Sequence, residues 1–341
     1  MSFIEGDKPF IIAEMSGNHN QSLEKAMSIV DLAADTGADA LKIQTYTPDT
    51  LTLDLDQGDF IISSEKSLWK GTSLYKLYEK AHTPWEWHEA IFRRAREKGI
   101  KCFSTPFDFT AVDFLEDLGC PCYKIASFEN GDLPLIRKIA STGKPIIAST
   151  GMASLGDLEK LIRTAREAGC QDITLLKCTS SYPASPADAN LMTIPHMKET
   201  FQVRVGISDH TQGIGAALAS IALGGQVIEK HFTDSRALGG VDSAFSLEPA
   251  EMKQLVEESL TVWQALGHVS YEPTEAEKSS MKFRRSLYFT RDMKAGEIIG
   301  HDDVRSIRPG YGMSPEHIDL VRGRRVTRDV SRGTAVSWDL I

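Results

Sequence analysis

No stretch of the 341-residue sequence approaches the roughly 20 consecutive apolar residues that a membrane-spanning helix needs. The opening MSFIEGDKPF has no basic segment followed by an apolar one, so no secretory leader is read and a cytoplasmic protein is expected. Positive charge is also in deficit, with 38 lysines and arginines against 47 aspartates and glutamates and a formal net charge of −9. No basic stripe is present to neutralise a row of phosphates, which argues against a nucleic-acid partner. Cysteine is scarce and odd in number: Cys102, Cys120, Cys122, Cys170 and Cys178 do not read as a disulfide framework in a chain of cytosolic type. Cys102 and Cys178 fall inside strand-like runs and read as small buried hydrophobes. Cys120 and Cys122 are one residue apart with no second pair elsewhere, which is short of a metal or redox motif.

What the chain does contain is repetition. Eight short apolar runs, Phe10 to Asn18, Ala40 to Thr45, Lys101 to Phe107, Tyr123 to Glu129, Pro145 to Thr150, Thr174 to Ser180, Val205 to His210 and Val227 to His231, each end in polar, chemically capable residues. Most are followed closely by a helical pattern, such as Ser22 to Thr36, Trp85 to Lys98 and Leu155 to Ala168, each stopped by a glycine. Alternating strands and helices imply a parallel sheet, and eight such units imply a closed (β/α)₈ barrel with its active site at the carboxyl ends of the strands. The long connection from Tyr46 to Thr83 carries an acidic stretch and the aromatics Trp69, Tyr75 and Tyr78, and is read as a lid. Residues 1–268 are assigned to the barrel, 269–282 to a linker around YEPTEAEK, and 283–341 to a small β-rich module with glycine turns in MKAGEII and VSRGTAV.

The strand ends then define the chemistry. His210 and His231 end adjacent strands seven and eight, so both imidazoles can converge on a divalent metal of the Mn²⁺, Fe²⁺ or Zn²⁺ kind. Glu14 either adds a carboxylate or base to them or pairs with Lys42. Lys124, Ser127, Thr105, Ser149 and Ser208 read as one ammonium ringed by hydroxyls, a cradle for a phosphate or carboxylate. Metal and anion together imply a phosphorylated or carboxylated substrate reacting with a polarised carbonyl. A Schiff-base aldolase built on Lys124 and a non-catalytic sugar- or ice-binding protein are the competing classes.

At these residues the sequence resembles the nonulosonic (sialic) acid synthases. The matching strings run in order: IIAEMSGNHNQS, ALKIQTYTPDT, FSTPFD, YKIASFEN, PIIASTGM, LLKCTSSYP, GISDHT and EKHFT, then the RPGYG segment of the antifreeze-like (SAF) domain. Within that family KIQTYTPDT, AHTPWEWH, SFENGDLPLI, GGVDSAFSLEP and KFRRSLY resemble the pseudaminic branch more than the neuraminate branch, with an N-acetylneuraminate or legionaminate synthase the alternative. The resemblance implies condensation of phosphoenolpyruvate with an open-chain amino-sugar aldehyde, with a divalent metal (Mn²⁺, Co²⁺ or Mg²⁺) held by His210 and His231. It implies phosphate contacts from Lys124, Ser127, Ser149 and Ser208, a carboxylate site near Lys42 and Thr105, and proton handling by Glu14 and Glu129. It also implies Gln44 beside the metal, Tyr182 and Asp242 near the sugar, and Arg308 inserted from the C-terminal module of a partner in a domain-swapped homodimer. Two departures stand out. Ser180 occupies a position where the sialic acid enzymes carry Asn, which puts its phosphate hydrogen bond in doubt, and Arg284-Arg285 replaces small or aromatic residues near the sugar.

Overall fold

A computed structural model describes residues 3–64 and 67–341, which form two compact units that divide between Gly267 and His268. In the first unit eight strands close into a wholly parallel barrel in sequence order: β1 (Phe10–Glu14), β2 (Ala40–Thr45), β3 (Lys101–Pro106), β4 (Tyr123–Ile125), β5 (Ile146–Ser149), β6 (Ile173–Cys178), β7 (Arg204–Asp209) and β8 (Val227–His231). The strands are buried almost throughout, as expected where helices cover a parallel sheet, and Ile12, Leu41, Phe103 and Tyr123 are fully enclosed. Closure comes from the β1–β8 register, which runs from Phe10 opposite Val227 to Glu14 opposite His231. Glu14 also stands opposite Lys42 on β2, so three chemically capable strand ends share one level.

The helices between strands begin where the sequence supplies caps. Ser22 accepts from the amide of Lys25 at the start of α1 (Leu23–Asp35), and Asp108 and Asp132 cap helices Phe109–Asp117 and Leu133–Ala140. Ser154 and Asp157 form a reciprocal capping box at helix Leu155–Glu167. The stops read at Gly37, Gly99 and Gly169 all hold positive φ, where a side chain would be strained. Helix Pro249–Leu266 completes the ring. The Tyr46–Thr83 connection contains helices Pro48–Leu51 and Leu74–Ala81 and is pinned by packing. The Tyr46 ring sits against Tyr78 and Phe107, and the Trp69 indole donates to the carbonyl of Val241 at 3.2 Å. Residues 65 and 66 of that connection lie outside the described residues. Among the described residues no helix is long and apolar enough to cross a membrane.

The second unit pairs β9 (Ser286–Phe289) antiparallel with β10 (Val304–Ile307) around its own core of Leu287, Phe289, Ile299, Val304, Val326 and Val336. Its stretch 269–282 contains a one-turn helix, Glu275–Lys278, capped by Thr274. Gly296 and Gly333, in the two glycine turns, both have positive φ. The Ser286 hydroxyl donates to the carbonyl of Pro309 at 2.7 Å and accepts from the amide of Gly312 at 2.8 Å, which fixes the loop that carries Arg308.

One buried ion pair of the barrel bears directly on the strand ends. Asp209 and Lys230 stand opposite each other on β7 and β8, each one residue before a histidine, and their side chains meet at 2.8 Å almost wholly out of solvent. Lys230 also donates to the carbonyl of Thr211 at 2.6 Å, and Asp209 accepts from the Thr211 amide at 2.9 Å. Lys230→Ala should therefore leave a bare buried carboxylate and cost the barrel about 3–5 kcal/mol. Urea denaturation followed by far-ultraviolet circular dichroism checks this, and an unchanged midpoint would contradict it.

Candidate active site

Strand pleating aims alternate residues at the barrel axis, so Lys42 with Gln44, Ser208 with His210, and Glu229 with His231 form inward pairs two apart. At the bottom of the resulting hollow, four charged side chains meet. Glu229 accepts from Lys124 through both oxygens, at 2.7 and 2.9 Å, and lies 3.3 Å from Lys42. Lys42 in turn is 3.2 Å from Glu14 and donates to Thr105 at 3.4 Å. Ser208 donates to Glu229 at 3.0 Å. All of these side chains are buried.

Burial sets their protonation. Loss of solvent pushes the Glu14 carboxyl up to about 7 even though Lys42 opposes it. The same desolvation acts on Glu229, but Lys124 and Lys42 outweigh it and hold that carboxylate well below the usual range. Burial lowers the Lys124 ammonium, with Glu229 acting against the shift. For Lys42 burial is outweighed by Glu14 and Glu229, which raise it.

Beside the lysines sits a tight group of hydroxyls. The amide of Gly151 donates to Ser127 at 3.1 Å, and a Cβ on Gly151 would lie 2.1 Å from the Ser180 oxygen and 2.6 Å from that of Ser127. Only glycine fits there. The Ser149 hydroxyl is buried without a hydrogen-bond partner, a donor whose need an incoming anion would meet.

The histidine pair stands next to these hydroxyls, since the Cys178 sulfur lies 3.7 Å from the Ser180 oxygen and 3.8 Å from His210 Nδ1. The rings of His210 and His231 have centroids 5.2 Å apart, with Tyr182 4.4 Å from His210 and Phe245 4.9 Å from His231. His210 Nδ1 lies 3.0 Å from the carbonyl of Thr179, a contact that fixes the ring and assigns the proton to Nδ1. His231 Nδ1 is buried without a hydrogen-bond partner, and burial holds this imidazole neutral by pulling it well below its ordinary value. Two such rings have the chemistry of metal ligands. Among the described residues no group of three or more His, Cys, Asp or Glu is placed to hold a metal ion. Gln44 donates to Glu14 at 3.1 Å and to Ser16 at 3.2 Å, and Ser16 donates to Asp242, whose carboxyl burial raises.

These groups face one cavity of about 520 Å³, a volume suited to small-molecule substrates. Glu14, Lys42, Gln44, Lys124, Ser127, Ser149, Ser180, Tyr182, Ser208, His210, His231 and Asp242 all line it. Thr105 lies behind Lys42 and does not. Glu129 also stands off the wall, in the single turn Ser127–Glu129; burial pushes its carboxyl up to about 7, and one of its oxygens is buried without a partner. Arg308 is exposed in the second unit. The reading of one ammonium among hydroxyls needs correction, because two lysines share the site and a carboxylate neutralises them. That carboxylate, Glu229, was not among the expected residues; its signal is the period of two that leads back from His231, as Ser208 leads back from His210. Cys178 also differs from expectation, since it lines the cavity. Burial alone would raise its thiol, but His210 at 3.8 Å and nearby serine hydroxyls outweigh that and bring it to about 7. From the lid, Leu51, Ile62, Leu74 and Leu77 give the cavity an apolar wall.

Comparison with known proteins agrees with this architecture. The model of the NeuB family matches residues 29–271, and that of the SAF domain matches residues 284–341. A pseudaminic acid synthase of Campylobacter jejuni subsp. jejuni serotype O:2 is 43% identical over 98% of this chain and 97% of its own length. An N,N'-diacetyllegionaminic acid synthase of the same serotype is 35% identical over 94% of this chain and 97% of its own. Among solved structures, an N-acetylneuraminic acid (sialic acid) synthetase from Leptospira borgpetersenii serovar Hardjo-bovis, in complex with citrate, superposes with a TM-score of 0.72 at 32% identity, covering 82% of this chain and 92% of that one. With a barrel matched by one model and a C-terminal module by the other, the chain belongs to the NeuB family and ends in a SAF domain.

Proposed function

We propose that this protein is a pseudaminic acid synthase, condensing phosphoenolpyruvate with 2,4-diacetamido-2,4,6-trideoxy-L-altrose to give pseudaminic acid and phosphate. The observation that carries the reading is the 43% identity, over nearly the full length of both chains, to a relative of that name, against 35% for the legionaminic relative of the same serotype. The apolar lid wall supports it, because a 6-deoxy sugar presents a methyl group where other sugars present a hydroxyl.

In the proposed reaction Lys124, Ser127, Ser149 and Ser208 hold the phosphate, while Lys42, backed by Thr105, takes the carboxylate. Fixing both ends orients carbon 3 of phosphoenolpyruvate toward the sugar aldehyde near the histidines. As carbon 3 attacks, carbon 2 gains oxocarbenium character, which anionic Glu14 stabilises. A water then adds at carbon 2 and Glu14 takes its proton, a role suited to a carboxyl titrating near neutrality. The tetrahedral intermediate loses phosphate by C–O cleavage. Glu129, also raised to about 7, is assigned the complementary proton transfer, and Tyr182 and Asp242 orient the sugar. A divalent metal held by His210 and His231 would supply Lewis-acid polarisation of the aldehyde. The proposal extends to a homodimer in which Arg308 of one chain serves the sugar site of the other, in the cytoplasm.

Phosphate release measured across a panel of amino sugars tests the substrate. The altrose sugar should be consumed best and N-acetylmannosamine poorly, and chelator should abolish turnover until Mn²⁺, Co²⁺ or Mg²⁺ is returned. Preferred use of N-acetylmannosamine would move the protein to the neuraminate branch, and full turnover in chelator would remove the metal. For the shared site, two inactive variants, His231→Ala and Arg308→Ala, are mixed under conditions of demonstrated subunit exchange. Activity should reappear, because one site of the mixed dimer combines an intact barrel with an intact Arg308. A mixture that stays inactive would rule out the swap.

A further inference from the structure

One carboxylate engages the very donors that the proposed substrate needs. Glu229 takes both oxygens to Lys124, sits 3.3 Å from Lys42, and accepts from Ser208 at 3.0 Å. Lys124 and Ser208 are the groups assigned to the phosphate, and Lys42 is the group assigned to the carboxylate. An anion entering the cavity therefore does not meet free cations. It meets cations already paired.

The pairing has a physical reason. Glu14 lies against Lys42 at 3.2 Å but Lys124 pairs with Glu229, and without that second carboxylate the two buried ammonium groups would be undercompensated when the cavity is empty. Such a counter-ion also weakens the hold on phosphate. A phosphate on two desolvated lysines and a ring of hydroxyls would be held by charge-assisted bonds that strengthen as water is excluded, and a product held that way leaves slowly.

We propose that Glu229 is a positioning residue that acts as an internal counter-anion, holding Lys42 and Lys124 in place when phosphate is absent and competing with it for them, so that product phosphate leaves. The inference rests on the assignment of this site to phosphoenolpyruvate. It makes Glu229 a determinant of anion affinity and of turnover in opposite senses.

The test compares wild type with Glu229→Gln, which keeps the shape and an acceptor for Lys124 but removes the charge. Calorimetry with inorganic phosphate should show at least tenfold tighter binding to the variant. Steady-state kinetics should show KM for phosphoenolpyruvate falling together with kcat, a split that loss of structure alone does not produce. Should the E229Q chain not fold, Glu229→Asp, whose shorter carboxylate falls back from Lys124, should show the same change to a smaller degree. Wild type that binds phosphoenolpyruvate, beside folded variants that bind phosphate no more tightly, overturns the role of Glu229 alone. Wild type that binds neither phosphate nor phosphoenolpyruvate overturns the assignment of the site and this inference with it.

Discussion

Glu14, Lys42, Lys124 and Glu229 form a buried charge network at the mouth of the barrel, and removing any one upsets its charge balance where water is scarce. The rest of the architecture keeps that network in register. Each residue comes from a different strand, β1, β2, β4 and β8, so only a closed barrel brings their side chains together. The β1–β8 pairing is decisive, since it sets Glu14 opposite His231 and connects the charged network to the histidines. Behind the wall, Asp209 and Lys230 tie β7 to β8 beside the two histidines. The four-residue network thus faces the cavity while the Asp209–Lys230 pair braces the strands.

The cavity combines chemistries that suit two unlike substrates. Lysines and serines, the two imidazoles, aromatic rings and the aliphatic residues of the lid all line it. In the proposed reaction the lysines and serines would take the phosphate ester and the apolar lining the methyl-bearing, acetylated sugar. Burial raises the carboxyls of Glu14 and Glu129 to about 7, so both titrate near neutrality, the range a general acid or base needs.

Much of this was legible in the sequence because barrels announce themselves by period. The eight apolar runs correspond to the eight strands, and the glycines at 37, 99 and 169 stop helices where expected. Reading only the last residues of each run was too narrow, however. Glu229 sits one pleat back from His231 and is visible only when the period of two is followed inward. Cys178 was read as a buried hydrophobe because nothing in a strand-like run tells which face a cysteine takes, and its position against His210 is set by β6–β7 packing. The neutralised state of Lys124 was hidden for the same reason, since its partner lies 105 residues away. The lid was marked by its length and aromatics, while its apolar inner wall depends on which faces of helices Pro48–Leu51 and Leu74–Ala81 turn toward the barrel.

The central claim is that the Lys124 side of this network is where phosphoenolpyruvate binds. Calorimetric titration of phosphoenolpyruvate into wild type and a folded Lys124→Ala variant tests it most directly. Truncating one partner of a buried charge pair should cost about 2–5 kcal/mol of binding. A loss of that size, with the circular dichroism of the barrel preserved, is the predicted result. Unchanged affinity would contradict the account and move the anion site elsewhere.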